Sequence, residues 1–272
     1  MMSELLRIEF IDDNFTVEKS EDYQLFIQLG EIRNQLSILD NSHALLLLLS
    51  WQNDLEEDRV NHLLNLPYKS KQIIYNNNNI LLIPKELYTE QQNIYYLNLL
   101  CLSKQQHKLL GNSTCNQRIQ CLYSAPYDTL RAVENMYKEF DVISRSAILL
   151  NVLQKQLRGE DTVLAINFEE SASDFTYFES GELIYHAVQP TVDADEFNFF
   201  LLTIVEQLNI KLVDTSILVT GKVDEKSDYY KRLTKYSTRV RFLDLTDQVQ
   251  CSNSLIIDKL YRNVTLLGLS CV

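Results

Sequence analysis

Glycine is scarce in this chain: six residues in 272, where ordinary usage near ~7% gives about nineteen. Backbone amides approach a polyphosphate closely only where side chains are absent, so a function built on several glycine-rich phosphate loops is excluded. Basic charge is also short. Lys plus Arg number 25 against 37 Asp plus Glu, a net charge of −12 at pH 7 with a sequence pI near 4.8. That sign opposes phosphodiester backbones and anionic lipid, so nucleic acid is not an expected partner, and a protein or small molecule is. Long apolar runs are missing. The longest, Ala44 to Leu49, falls far below the ~18 residues of a membrane span, so no membrane insertion is expected. The opening MMSELLRIEF places a glutamate ahead of any apolar core and lacks the basic start and cleavage site of an export signal, which points to the cytoplasm. Five cysteines (Cys101, Cys115, Cys121, Cys251 and Cys271) show neither CxxC spacing nor a neighbouring histidine. Reduced thiols are expected, and no metal site.

What is present is ordinary globular material: 46% hydrophobic and 23% charged residues, enough for one large or two modest domains. From Tyr23, the runs YQLFIQLG, IRNQLSIL and HALLLLLSWQ read as three strands joined by tight turns at Leu29-Gly30-Glu31 and Asp40-Asn41-Ser42. A helix follows, capped by Asp54, with Leu55, Val60, Leu63, Leu64 and Leu66 near one face and Pro67 at its end. The tract Asn76 to Asn79 between QIIY and ILLIPKEL reads as a hairpin loop. NIYYLNLLCL and RIQCLYSA read as further strands, and KQQHKLLGNSTCNQ between them as an exposed polar stretch. Leu130, Val133, Tyr137 and Phe140 then mark a helix, and Ser144 to Leu157 a second. Arg158-Gly159-Glu160-Asp161 is a polar break, which sets the expected domains at 1–158 and 159–272.

The second half repeats the grammar of the first. TVLAINF, SDFTYFE and ELIYHAVQ are three strands, the last two joined at Ser180-Gly181. Asp193 and Glu196 form a capping-box arrangement ahead of a helix with an apolar stripe from Phe197 to Leu208. SILVTG, DYYKRLTKY and VRFLDL complete a β-β-β-α-β-α-β order, and the tail is expected to add a helix and a last strand, TLLGLSCV. The first strands of the two halves begin at Tyr23 and Thr162, 139 residues apart. This is the pattern of an internal duplication at domain scale rather than a short repeat, with a mixed α/β signature.

In that order of elements the chain resembles the actin-like ATPase superfamily, built of two tandem ribonuclease-H-like lobes flanking a nucleotide cleft. More narrowly, ILLIPKEL, CLYSAP and the CV terminus resemble a bacterial family of actin-like proteins catalogued as domain of unknown function 3822. The resemblance implies that the first hairpin of each lobe carries an acid and glycines, the amides meeting phosphate and the carboxylate holding Mg²⁺ through water. Here those positions read Gln28-Leu29-Gly30 and Asn167-Phe168-Glu169. Each acid is an amide, and the second glycine is a glutamate. A unit charge repelled at ~4 Å costs about 1 kcal/mol in water and about 4 at an effective dielectric of 20. The adenosine segment resembles Leu218-Val219-Thr220-Gly221-Lys222, with one of its paired glycines kept.

Gln28, Gly30, Asn167, Glu169, Gly221 and Lys222 are therefore the candidate cleft residues, with no catalytic residue among them. Glu169, Glu170 and Asp174 lie close enough in sequence to suggest a metal site, but strand alternation separates the first two. His186 within a strand lacks any nucleophile motif beside it and reads as a packed histidine, while His43, His62 and His107 are isolated. The expected function is a non-catalytic scaffold or protein-interaction module, a pseudo-ATPase that uses neither ATP nor Mg²⁺. The alternative is a divergent Mg-dependent ATPase or small-molecule kinase that uses Lys222 for phosphate and the acids near Glu169 for the cation.

Overall fold

The computed structural model describes residues 6–30, 32–52, 58–76, 78–100, 106–136, 140–157 and 162–268. The chain forms two compact units. The first is Met1–Asn151 with Thr246–Ile257 and Thr265–Val272; the second is Val152–Leu245 with Asp258–Val264. The expected boundary at Arg158 to Asp161 and the expected cap Asp54 lie outside the described residues.

In the first unit, β1 (Leu6–Ile11), β2 (Gln24–Leu29), β3 (Arg33–Leu39), β4 (Leu45–Gln52), β5 (Ser70–Tyr75) and β9 (Asp141–Ser144) make one sheet in the order β1-β4-β3-β2-β5-β9. The three strands expected from Tyr23 onward are antiparallel neighbours, and β5 and β9 then add parallel to β2. The β3–β4 turn works as its residues predict. Asp40 Oδ1 accepts the amides of Ser42 at 2.8 Å and Ala44 at 2.9 Å, closing the turn from its own side chain. Leu25, Ile27, Leu36, Ile38, Leu47, Leu49 and Trp51 form the apolar face, covered by Val60, Leu63 and Leu64 of α1 (Asp58–Asn65).

Between β5 and β9 the first unit carries an insertion, and several expectations fail there. β6 (Ile80–Pro84), β7 (His107–Thr114) and β8 (Ile119–Pro126) form a separate three-stranded sheet in the order β6-β8-β7. The asparagine tract therefore joins two sheets and is not a hairpin loop. NIYYLNLL is not a strand but the helix α2 (Asn93–Leu100), which seats Tyr96 and Leu100 against Leu122 of β8. Its aromatic and branched residues favour a strand locally, but the four-residue spacing of the buried pair is helical. The polar stretch after it is β7. Its turn into β8 holds Cys115, Asn116 and Gln117 in the left-handed region with φ of 52°, 54° and 65° and no glycine to signal it. Asn151 stabilises that turn by accepting the Cys115 amide at 2.9 Å and the Thr114 hydroxyl at 3.0 Å. Two helices, α3 (Tyr127–Met136) and α4 (Arg145–Gln156), flank β9 and correspond to the two expected helical stretches, except that Tyr137 lies outside the described residues, Phe140 is not helical and Ser144 ends β9, a strand the sequence reading does not anticipate; the division between units falls within α4.

The second unit follows its sequence closely. β10 (Val163–Phe168), β11 (Ala172–Glu179), β12 (Glu182–Pro190), β13 (Ser216–Gly221) and β14 (Val240–Phe242) form a sheet in the order β12-β11-β10-β13-β14. Ser180 and Gly181 both take positive φ, 52° and 76°, as a two-residue hairpin of matching twist requires. Asp193 caps α5 (Ala194–Gln207), its Oδ1 accepting the amides of Asp195 and Glu196, while Glu196 reaches back to the Val192 amide at 2.8 Å. α5 and α6 (Asp228–Tyr236) cover one sheet face through Phe197, Leu201, Ile204 and Leu233. The tail departs from expectation: TLLG is not a strand. The chain ends its described course through α7 (Ser254–Ile257) and α8 (Val264–Leu267). Strands β4-β3-β2-β5-β9 and β12-β11-β10-β13-β14 share one order and one set of directions.

Candidate functional site

The six candidate residues fall into two groups. Gln28 lies near the end of β2 and Gly30 just beyond it in the first unit; Asn167, Glu169, Gly221 and Lys222 stand together where β10 and β13 end in the second. Gln28 and Asn167 hold the same place, each the penultimate residue of the strand that pairs antiparallel on one side and parallel on the other.

Parallel pairing sets Asn167 beside Thr220 of β13, and antiparallel pairing sets it beside Asp174 of β11. All three are buried. Asn167 Nδ2 donates to Asp174 Oδ2 at 2.8 Å and to Glu169 Oε1 at 3.2 Å, and Asn167 Oδ1 accepts the Thr220 hydroxyl at 2.8 Å. The amide is thus a bridge between two carboxylates, with both N–H groups and its oxygen engaged inside the unit. Glu169 lies beyond the end of β10, where its amide donates to the Ala172 carbonyl at 2.8 Å to close the β10–β11 turn. Alternation of a continuing strand therefore does not apply to Glu169 and Glu170.

Gly221 is placed by contact. Its φ is +85°, and a Cβ there would meet the Phe168 carbonyl oxygen at 2.1 Å and Asn167 Oδ1 at 2.7 Å. Only glycine lets β13 end this close to β10. The Lys222 amide then donates to that Phe168 carbonyl at 2.7 Å, and its ammonium pairs with Glu170 Oε1 at 3.0 Å. Lys222 is the cation that neutralises the turn's second glutamate.

In the first unit, buried Gln28 accepts the hydroxyl of Thr265 at 2.9 Å through Oε1. Gly30 has Arg33 across the turn, where a Cβ would lie 2.2 Å from the carbonyl oxygen. Asn76, just past β5, donates from Nδ2 to the Leu29 carbonyl at 3.0 Å, doing with a side chain what the Lys222 amide does with the backbone.

These side chains do not fit a magnesium-bound polyphosphate. The positions that would offer charged oxygen to a hard cation hold amides. The turn that would offer amides to phosphate presents Glu169 and Glu170 instead. No group of three or more potential metal ligands occurs among the described residues. His186 bonds Thr176 through Nδ1 at 2.8 Å across β11 and β12, the packed histidine its strand context suggests. Cys115 and Cys121 are buried free thiols, and burial pushes Cys121 up to about 12, so it is held as a thiol at neutral pH. No helix among the described residues is long and apolar enough to cross a membrane.

Thr220 and Thr265 escaped the sequence reading. Thr220 carried a signal, as the last side chain before Gly221 on a strand that had to pair with β10. Thr265 carried none, because it reaches Gln28 across 237 residues.

Comparison with solved structures confirms the architecture. A Bacteroides thetaiotaomicron protein with actin-like ATPase fold and unknown function is similar at TM-score 0.79 and 18% identity, over 95% of this chain and 99% of that one. A chain of the PilM–PilN type IV pilus biogenesis complex is similar at TM-score 0.64 and 12% identity, over 91% and 97%. Among curated proteins none matches. The fold is that of the actin-like ATPases, and, with residues 12–240 matched by its model, the chain belongs to the family described as protein of unknown function (DUF3822).

Proposed function

We propose that this protein is a non-catalytic cytoplasmic scaffold of actin-like fold, a pseudo-ATPase that engages another protein instead of turning over a nucleotide. The observation that supports this reading is the state of Asn167. The residue at the second acid position is an amide whose donors and acceptor are all engaged by Asp174, Glu169 and Thr220. A group so engaged keeps only one lone pair of an uncharged oxygen for a hydrated cation, and displacing it would take a partner from a buried carboxylate. Fold alone does not license function. The chain of the PilM–PilN complex nonetheless gives a protein of this architecture that works as part of a protein complex in type IV pilus biogenesis.

Isothermal titration of the wild-type protein with ATP and Mg²⁺ tests the first half of the reading, and the expected result is no saturable heat. Micromolar binding that weakens at least tenfold in Lys222→Ala would overturn it in favour of an enzyme. Affinity isolation from native lysate, run with and without ATP, tests the second half. One stoichiometric protein recovered at equal yield in both is expected; recovery that requires ATP contradicts the scaffold.

A further inference from the structure

The sheet of the second unit and the helices α5 and α6 are complete by Phe242, yet the unit has one further piece. This is the strap Asp258–Val264, whose flanking segments, Thr246–Ile257 and Thr265–Val272, both belong to the first unit. The strap seats Leu260 and Tyr261, both buried. The Tyr261 ring lies on Phe242 of β14 with centroids 4.2 Å apart and 25° between the planes, and Phe242 stacks in turn on Tyr230 of α6 at 5.2 Å. The Tyr261 hydroxyl donates to the Val223 carbonyl at 3.1 Å, two residues past Gly221. Arg262 completes the seat, its guanidinium 5.9 Å from the Tyr261 ring centre and 3.3 Å from Asp224 Oδ2.

The walls around Tyr261 that the rest of the second unit supplies are one ring face, one backbone carbonyl and one half-exposed carboxylate, those of Phe242, Val223 and Asp224. Together they specify what fits. The ring face rewards a planar aromatic group. The carbonyl and carboxylate are acceptors only, so they reward a donor on its edge. Asp224, with Glu225 next to it, penalises an anion. A buried tyrosine bonded to a carbonyl is not unusual in itself, since Tyr123 bonds the Val142 carbonyl at 3.2 Å. Tyr123, however, stands on β8, the central strand of its sheet, and cannot leave without breaking two strand pairings. Tyr261 rides on a four-residue 3₁₀ turn, Leu260–Asn263, that pairs with no strand among the described residues.

We infer that Tyr261 is a resident plug: the slot bounded by Phe242, Val223 and Asp224 is a binding site for an uncharged planar aromatic ring bearing a hydrogen-bond donor, and the chain fills it with its own phenol. Ligand and plug compete for the same ring face and the same carbonyl, so the apparent affinity is the intrinsic affinity scaled by the fraction of molecules with the plug withdrawn. The inference rests on the reading that the protein turns over no nucleotide, and extends it from the strand ends to the residues just beyond Gly221. The two fail separately. Saturable heat with ATP and Mg²⁺ in wild type contradicts that reading, whereas the plug stands or falls on substitutions at Tyr261.

Proton NMR titrations of p-cresol and of adenine into the full chain are the test, run on wild type, Tyr261→Phe and Tyr261→Ala. Tyr261→Phe keeps the ring and loses only the bond to Val223, so about fivefold tighter binding than wild type is expected. Tyr261→Ala removes the plug and leaves an aromatic-walled cavity, and binding at least a hundredfold tighter than wild type is expected. In that variant 4-methylanisole, a similar ring without a donor, is expected to bind at least fivefold more weakly than p-cresol. A preference for adenine over p-cresol assigns the slot to a nucleobase, and the reverse preference assigns it to a tyrosine side chain of another protein; either supports the site. Affinities that do not rise from wild type to Tyr261→Phe, or a Tyr261→Ala protein of native circular dichroism that binds neither probe, would overturn it. Should Tyr261→Ala not fold, the comparison of wild type with Tyr261→Phe decides alone.

Discussion

Gln28 and Asn167 occupy one position in two sheets of the same strand order, yet they are held in different ways. Asn167 is enclosed by its own unit. Glu169, Asp174 and Thr220, all within 53 residues of it, take up its amide from three sides. Gln28 is completed by Thr265, from a segment that returns to the first unit after the whole of the second has been made. A buried amide is thus accommodated once by neighbouring strands and once by a distant helix. What is common is that a buried amide needs partners as surely as a buried acid does. What differs is how many depend on it.

That difference orders the consequences of substitution. The largest effect is expected at Gly221, the glycine beside Asn167. Gly221→Ala combines a left-handed φ with a Cβ inside contact distance of β10, and a loss of about 4 kcal/mol is expected by urea unfolding. Gly30→Ala meets a similar contact without the left-handed φ, so about half that loss is expected. Equal losses at the two would remove the backbone distinction between the units. The losses at the amides themselves fall on either side of that at Gly30. Asn167→Leu deprives a buried carboxylate and a buried hydroxyl of a partner at once, about 3 kcal/mol, while Gln28→Leu removes the bond to the Thr265 hydroxyl, about 1 kcal/mol. The reverse ranking in denaturant titrations would show that the distant partner, not the enclosing strands, matters more. Asp193→Ala, which removes the α5 cap from the second unit, is expected to cost about 1 kcal/mol, seen as a lowered urea midpoint at unchanged slope. The smallest effect belongs to Lys222→Ala. Its partly exposed pair with Glu170 is expected to contribute less than about 0.5 kcal/mol at low salt and to vanish at high salt. A salt-independent loss there would mean that Lys222 supports the turn by packing.

The second unit was nearly transparent in sequence and the first was not, for physical reasons visible in single elements. In β10 to β12 each strand is bounded by a turn with its own chemistry, such as Ser180-Gly181, and the α5 cap is written in Asp193 and Glu196. In the first unit the inserted sheet breaks these correspondences. α2 exposes Ile94, Tyr95 and Leu99, so its apolar residues run together and the helical period is hidden. β7 ends in a left-handed turn of Cys115, Asn116 and Gln117, of which only Asn116 is a residue type that favours that region, and the stabilising group, Asn151, is 36 residues from Cys115. β5 and β6 sit on either side of a turn-like tract yet belong to different sheets, a choice made by pairing partners far along the chain. The candidate site followed the same division. The glycine and the amide positions were legible from strand ends. The partners that complete them were legible only where strand pairing brings them in.

The bond between Thr265 and Gln28 also bears on how the protein comes into being. At about 5–20 residues per second, a ribosome needs roughly ten to fifty seconds to travel from one residue to the other. Throughout that interval the emerging N-terminal sheet has to persist with a polar group lacking its mate, and Ser37 still waits for the Leu266 carbonyl that its hydroxyl will bond at 3.2 Å. Nascent chains stalled before Thr265 should accordingly be more susceptible to protease within the first unit than those released beyond it, which makes the late segment a latch on a structure begun long before.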